Sequence, residues 1–155
     1  MEGGSVDFEK EFLTGLAQMI ADSNIAVYRP DGVYAEGEAG IVFGFWPQSP
    51  DACIVLNLTP LSDESMINFS RYILEVHARG AKGDPFGASG LAVPVFDLIH
   101  GARNLEVGKI QVTQILRNGG SPLEQDGSRR AKRADNYVVW MDTNPTQYRS
   151  INGWD

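Results

Sequence analysis

The feature that most limits how this 155-residue chain can fold is the alternating run from Met66 to Arg79. Tyr72, Leu74, Val76 and Ala78 fall on one side at period two, while Arg71, Ile73, Glu75, His77 and Arg79 fall on the other. That period belongs to a strand, and no other strand candidate in the chain is as long. The first row suits a core. The second mixes cations, a carboxylate, an imidazole and an isoleucine, and suits a wet or intersubunit surface. The run closes on Arg79-Gly80 and passes through Asp84-Pro85 into a helix, with Asp84 as its cap and Pro85 as its first residue, where the missing amide proton is not needed.

The rest of the chain divides around that strand. Phe8, Phe12, Leu16, Met19 and Ile20 recur at helical spacing behind Asp7, with Glu9 and Glu11 in the first turn, so a first amphipathic helix spans 8 to 20. Ile25 to Tyr28 reads as a short strand ended by the turn Arg29-Pro30-Asp31-Gly32. Ile41 to Trp46 and Ala52 to Leu58 are strands that pair antiparallel or lie side by side, interrupted by the two prolines of Pro47-Gln48-Ser49-Pro50-Asp51. Thr59 to Ser65 reads as a polar connection. The second helix extends to about His100, and Pro94 predicts a kink or a later start.

Beyond Gly101, Leu105 to Leu116 reads as one strand, with Ile110, Val112 and Leu116 on a single row. Asn118-Gly119-Gly120-Ser121-Pro122 and Asp126-Gly127-Ser128 bracket a polar connection too long for a tight hairpin turn and suited to a mobile segment. Ala134 to Met141 is the last strand, with Val138 and Trp140 on one face and Tyr137, Val139 and Met141 on the other. Tyr148, Ile151 and Trp154 follow at intervals too sparse for a core. They form either a frayed terminus or an arm that docks on a neighbouring subunit. The expected division is a flexible amino terminus (1–6), one domain (7–142) and a carboxy-terminal arm (143–155).

An apolar fraction of 43% and a charged fraction of 21% are those of an ordinary globular domain. A domain of this size buries roughly 70% of the surface its unfolded form exposes, so it needs no disulfide or metal. Cys53 is the only cysteine, which excludes an internal disulfide and a cysteine-based structural zinc site and is compatible with a reducing compartment. Met1-Glu2-Gly3-Gly4-Ser5 carries no basic-then-apolar signal, and no apolar run approaches the ~20 residues that span a bilayer, so neither secretion nor membrane insertion is expected. The net charge of −7 is uneven. Residues 1 to 64 hold two basic and eleven acidic side chains, and the remainder hold eleven basic and nine acidic, giving −9 in front and +2 behind. Such polarity marks either a solvated acidic surface or complementary contacts between copies or with a partner.

Catalytic patterns do not stand out. There is no Walker or dinucleotide glycine loop and no zinc-protease helix signature. His77 lies on the outer row of the long strand, and His100 ends the second helix. Cys53 precedes Ile54-Val55-Leu56, where a cysteine is usually a small buried hydrophobe. No spacing singles out a pair of carboxylates. The sequence therefore assigns no catalytic, cofactor-binding or metal-ligating residue and predicts a non-enzymatic protein. Arg129, Arg130, Lys132 and Arg133 form the one dense basic cluster. Lacking interleaved aromatics in an acidic chain, it reads as a solvated or subunit-facing contact and not as a sequence-specific nucleic-acid site.

The order of parts carries a resemblance: Leu16-Ala17 in the opening helix, Trp46-Pro47 before Pro50-Asp51, and the long strand ending Arg79-Gly80. Val95-Phe96-Asp97-Leu98-Ile99-His100-Gly101, Asp126-Gly127-Ser128-Arg129 and Asp135-Asn136-Tyr137 follow. Over roughly residues 8 to 142 the chain resembles the minor capsid, or tail terminator, proteins of long-tailed bacteriophages. The resemblance implies an α+β domain, a mostly antiparallel sheet flanked by two main helices, that assembles into a ring, usually a hexamer, at the head-proximal end of the tail tube. Such a ring ends tube growth and meets the neck proteins of the head, so the implied location is the tail-neck junction of a virion assembled in the bacterial cytoplasm. The implied partners are further copies of the chain, the tail tube protein and a neck or head completion protein. Phage DNA would pass through the lumen without sequence-specific binding, its walls kept clear by acidic side chains. Pro94 and the segment after Asp142 fit the pattern least. Another neck component, a tail completion or head-tail joining protein, is the alternative, and a small hydrolase or ligand-binding α+β domain a further one. The candidate interface residues are Arg71, Glu75, His77, Arg79, Arg129, Arg130, Lys132, Arg133, Tyr148, Ile151 and Trp154.

Overall fold

The computed structural model describes residues 7–149. Helix α1 (Phe8–Asp22) opens the fold, and the Asp7 carboxylate accepts a hydrogen bond from the Lys10 amide to cap it. Then come β1 (Gly40–Phe43), β2 (Cys53–Asp63), β3 (Phe69–Lys82), helix α2 (Gly87–Ile99), β4 (Arg103–Val107), β5 (Ile110–Gly120), β6 (Glu124–Gln125) and β7 (Arg130–Asp142). All the strands join one sheet in the order β1-β2-β3-β7-β5-β4, with β6 paired to β7. Only β1 and β2 run parallel; the other pairings are antiparallel. This is the expected α+β class.

Phe12, Leu16 and Ile20 from α1 and Val95 and Ile99 from α2 share one core with Tyr72, Leu74 and Val76 of β3 and Tyr137, Val139 and Met141 of β7. Both helices therefore pack on one face of the sheet. The predicted inner row of β3 meets them, and of the two faces expected for the last strand it is the Tyr137, Val139 and Met141 face that does so. Glycine sets how closely the layers approach: a Cβ on Gly15 of α1 would stand 2.4 Å from the Gly108 amide nitrogen in the β4–β5 turn.

Several expectations need correction. Ile25 to Tyr28 is not a strand; only Val27 bridges to Gly40. β1 stops at Phe43, because Gly44 takes a φ of +86°, and its pairing with β2 is parallel. Thr59 to Asp63 continues β2 instead of leaving it. Leu105 to Leu116 is a hairpin turned at Gly108-Lys109, since Val107 pairs directly with Ile110. A bulge then places Val112 opposite Met141 and Gln114 opposite Trp140, so Ile115 takes the core position and Leu116 moves to the other face. Much of the expected mobile segment from Asn118 to Arg133 is paired, through Gly120–Asp135 and Glu124–Lys132. Helix α2 starts at Gly87, later than Pro85, and runs through Pro94. The carbonyl that Pro94 cannot serve belongs to Gly90, which is exposed and open to water.

Candidate assembly surface

Among the described residues, no helix lies over the second face of the sheet. Its side chains come from the outer row of β3 and the registered positions of its neighbours, because residues opposite one another share a face. Thr59, Ile73, Val138 and Leu116 form one cross-strand row, and Arg71, Trp140 and Gln114 form the next toward the β2–β3 turn. On the other side lie Asn57, Glu75 and Asn136, then Val55, His77 and Ala134, then Cys53, Arg79 and Lys132. A central apolar band made by Ile73, Val138, Leu116 and Trp140 is thus bordered by polar side chains.

Arg71 and Glu75 look outward, as the alternation predicts. Arg71 reaches Glu64 at 3.0 Å, and Glu75 meets the His77 Nε2 at 3.0 Å. Both are partly exposed pairs that contribute little to stability. One end of the face is covered by the segment after β1. There Trp46 lies over it, 5.8 Å from the His77 ring, 5.2 Å from the Arg79 guanidinium and 5.4 Å from the Lys132 ammonium. Trp46 was legible only as part of a Trp-Pro motif; its neighbours are set by the long-range pairing of β3 with β7.

Arg79 requires a correction. It is 2% exposed, and its guanidinium donates to the carbonyl oxygens of Asp51 at 2.7 Å, Pro47 at 2.7 Å and Pro50 at 2.9 Å. Burial pulls its pKa down, yet the three carbonyls hold the fork in place. In this fold Arg79 is a latch for the Pro47–Asp51 segment and not an open contact. Cys53 lies beside it, and burial pushes its thiol up to about 11, which keeps it protonated and a poor nucleophile.

The basic cluster also separates. Arg130 is drawn in by Asp126 at 2.7 Å and Asp51 at 3.1 Å. Arg133 turns to the helix side, where it donates to Asp135 at 2.8 Å and to the Ser89 Oγ at 3.3 Å. Arg117 approaches the same buried carboxylate at 3.5 Å. Strand alternation sends Lys132 to the open face. Arg129 is exposed at the apex of the β6–β7 turn, with a φ of +61°. Asp126 accepts the Arg130 and Ser128 amides, and its pKa falls to about 2, with the Arg130 amide the largest cause.

Tyr148 is 91% exposed. Next to it Arg149 clamps the chain back on its own sheet, donating to Asn68 Oδ1, the Glu64 carbonyl, Thr143 Oγ1 and the Asn144 carbonyl. Ile151 and Trp154 lie outside the described residues. His100 ends α2 as expected: its Nδ1 accepts the Arg117 amide at 3.0 Å, and its ring stacks on Phe96. No metal-holding group of three or more His, Cys, Asp or Glu side chains forms among the described residues.

No family model and no curated protein matches this chain. Among solved structures, a chain from "Virion of native gene transfer agent (GTA) particle" has the same fold. It superposes with a TM-score of 0.57 at 12% identity, covering 90% of this chain and 100% of that one. At that identity the likeness is one of fold.

Proposed function

We propose that this chain is a structural virion protein, a tail terminator that forms a ring at the head-proximal end of a phage-type tail and joins it to the neck. The observation that carries the reading is the fold shared over the whole of a chain from a gene transfer agent virion. A sheet with helices on one side and an apolar band on the other supports it, since a protein that works through contacts needs a second face to present. On this reading, Arg71, Glu75, His77 and Lys132 border the surface that meets tube or neck proteins.

Electron micrographs of particles made without the protein test the role. A terminator's loss gives overlong or unjoined tails. Finished tails beside leaking heads would assign the chain to a head-side adaptor instead, and normal particles would remove it from the virion altogether.

A further inference from the structure

We propose that the residues following Arg149 fold back onto their own chain, with Ile151 and Trp154 seated in the groove between the start of α1 and the β2–β3 turn. The inference stands apart from the terminator reading and concerns how the chain covers its own surface.

The groove has a volume of about 660 Å³ and a mostly apolar lining. Phe8 and Tyr72 form its base, their rings edge to face at 5.3 Å, with Tyr72 nearly buried. Ser65 of the turn lines it as well, and Pro145 and Tyr148 bring apolar surface from the stretch after β7. Concave apolar sites of this size take up aromatic and aliphatic groups.

The described chain ends at this groove. Arg149 is among its lining residues, and the guanidinium is fixed by Asn68 Oδ1, the Glu64 carbonyl, Thr143 Oγ1 and the Asn144 carbonyl, so the next residues start from the groove's edge. The Arg149 amide donates to the Thr146 carbonyl, a bond across three residues that sets a three-residue period. At that period Tyr148, Ile151 and Trp154 share one side, and Tyr148 already lines the groove. Five residues separate Trp154 from Arg149. They span about 10 Å as a 3₁₀ segment and about 18 Å fully extended, so in either form the indole stays within reach.

Tethering also favours this occupant over others. A segment held this closely acts at an effective concentration on the order of millimolar, and a separate chain of similar apolar content has to match that. The two carboxylates at the groove are already partnered, Asp63 by the Ser70 hydroxyl and Glu64 by Arg71, and the segment brings them no like charge before Asp155. Residues 1–6 lead to the same groove beside Phe8, but they carry no aromatic side chain. With Trp154 in place the groove is closed to a second copy, and the carboxy-terminal residues serve their own fold and not a neighbour's.

Two measurements on the full chain test this. Nuclear Overhauser spectra should show the Trp154 indole against the Phe8 and Tyr72 rings, and a co-refolded mixture of labelled and unlabelled chains should show that the contacts arise within one chain. This measurement uses the unaltered chain, so it stands whatever a substitution does to folding. Trypsin cleavage after Arg149 releases residues 150–155, and Trp154→Ala should speed that release roughly tenfold by raising the open population, with a wild-type rate that does not vary with protein concentration. The proposal is overturned if the indole contacts are absent, if Val6 occupies the Phe8–Tyr72 site instead, or if the two chains release the segment equally fast. Contacts found only between labelled and unlabelled chains, or protection that grows with concentration, would likewise overturn it and make the segment an arm for a second copy.

Discussion

At the scale of single residues, the latch made by Arg79 is the clearest case of a side chain whose role the alternation could not reveal. It sits on the predicted outer row, but three carbonyls from Pro47, Pro50 and Asp51 converge on it and exclude solvent. Arg79→Ala should lower stability by about 2–4 kcal/mol, because charged donors and buried acceptors are lost together. Lysine should restore little, since one ammonium cannot span all three oxygens. Chemical denaturation of the two variants checks both statements; equal recovery by lysine would show that charge alone matters. Cys53 beneath the same segment gives a second test. With its thiol held up at about 11, alkylation at neutral pH should be slow and should follow the unfolding transition. Asp126 supplies the pH test. Its folded pKa of about 2 lies below the ordinary 3.8, so its contribution is full above pH 4 and is lost as the pH falls through 2. Protection of the Ser128 and Arg130 amides, measured against their intrinsic exchange rates, should fall across that window; unchanged protection would mean that these bonds do not hold the turn.

At the scale of elements, the chain spelled out what local periodicity governs and concealed what pairing governs. α1, β3 and the two faces of β7 were legible because each repeats side chains at its own period. The bulge at Thr113 was not, since an extra residue changes which side chains face the core without altering composition, and so simple alternation gives Leu116 the place that Ile115 holds. The turn at Gly108-Lys109 was hidden inside an apparently continuous strand. The candidate surface was half legible: the outer row of β3, Arg79 apart, was separated from the core and the two faces of β7 were told apart, while the cover made by Trp46 and the scattering of the arginines depend on contacts distant in sequence. The same turn makes a prediction about layer spacing. Gly15→Ala places a methyl group 2.4 Å from backbone at Gly108, where no flexible side chain can yield. A loss of about 1–3 kcal/mol is expected, although alanine is the better helix former. A stability gain in thermal unfolding would show that helix propensity outweighs the close approach.

For the whole molecule, the one-sided packing of helices separates what the fold needs from what assembly needs. Leu74 and Ile73 are adjacent, yet Leu74 is fully buried under the helices and Ile73 lies, partly covered, in the apolar band opposite. Truncating Leu74 to alanine removes buried methyl groups and leaves a cavity, for which about 2–5 kcal/mol is expected. Ile73→Ala should cost the isolated chain less, about 1–2 kcal/mol, because water already reaches part of that side chain and no closed cavity is left. In particles the order should reverse. Under the proposed function, Ile73→Asp, folded in solution, should be depleted from purified virions, since a carboxylate in the apolar band would be desolvated if that band is a contact. Leu74→Ala, where it still folds, should be incorporated in proportion to its folded fraction. Denaturation midpoints together with the protein content of purified particles measure both effects. Equal stability losses for the neighbouring residues would mean that the isolated chain already covers its second face, and undiminished incorporation of Ile73→Asp would place the assembly contact elsewhere on the molecule.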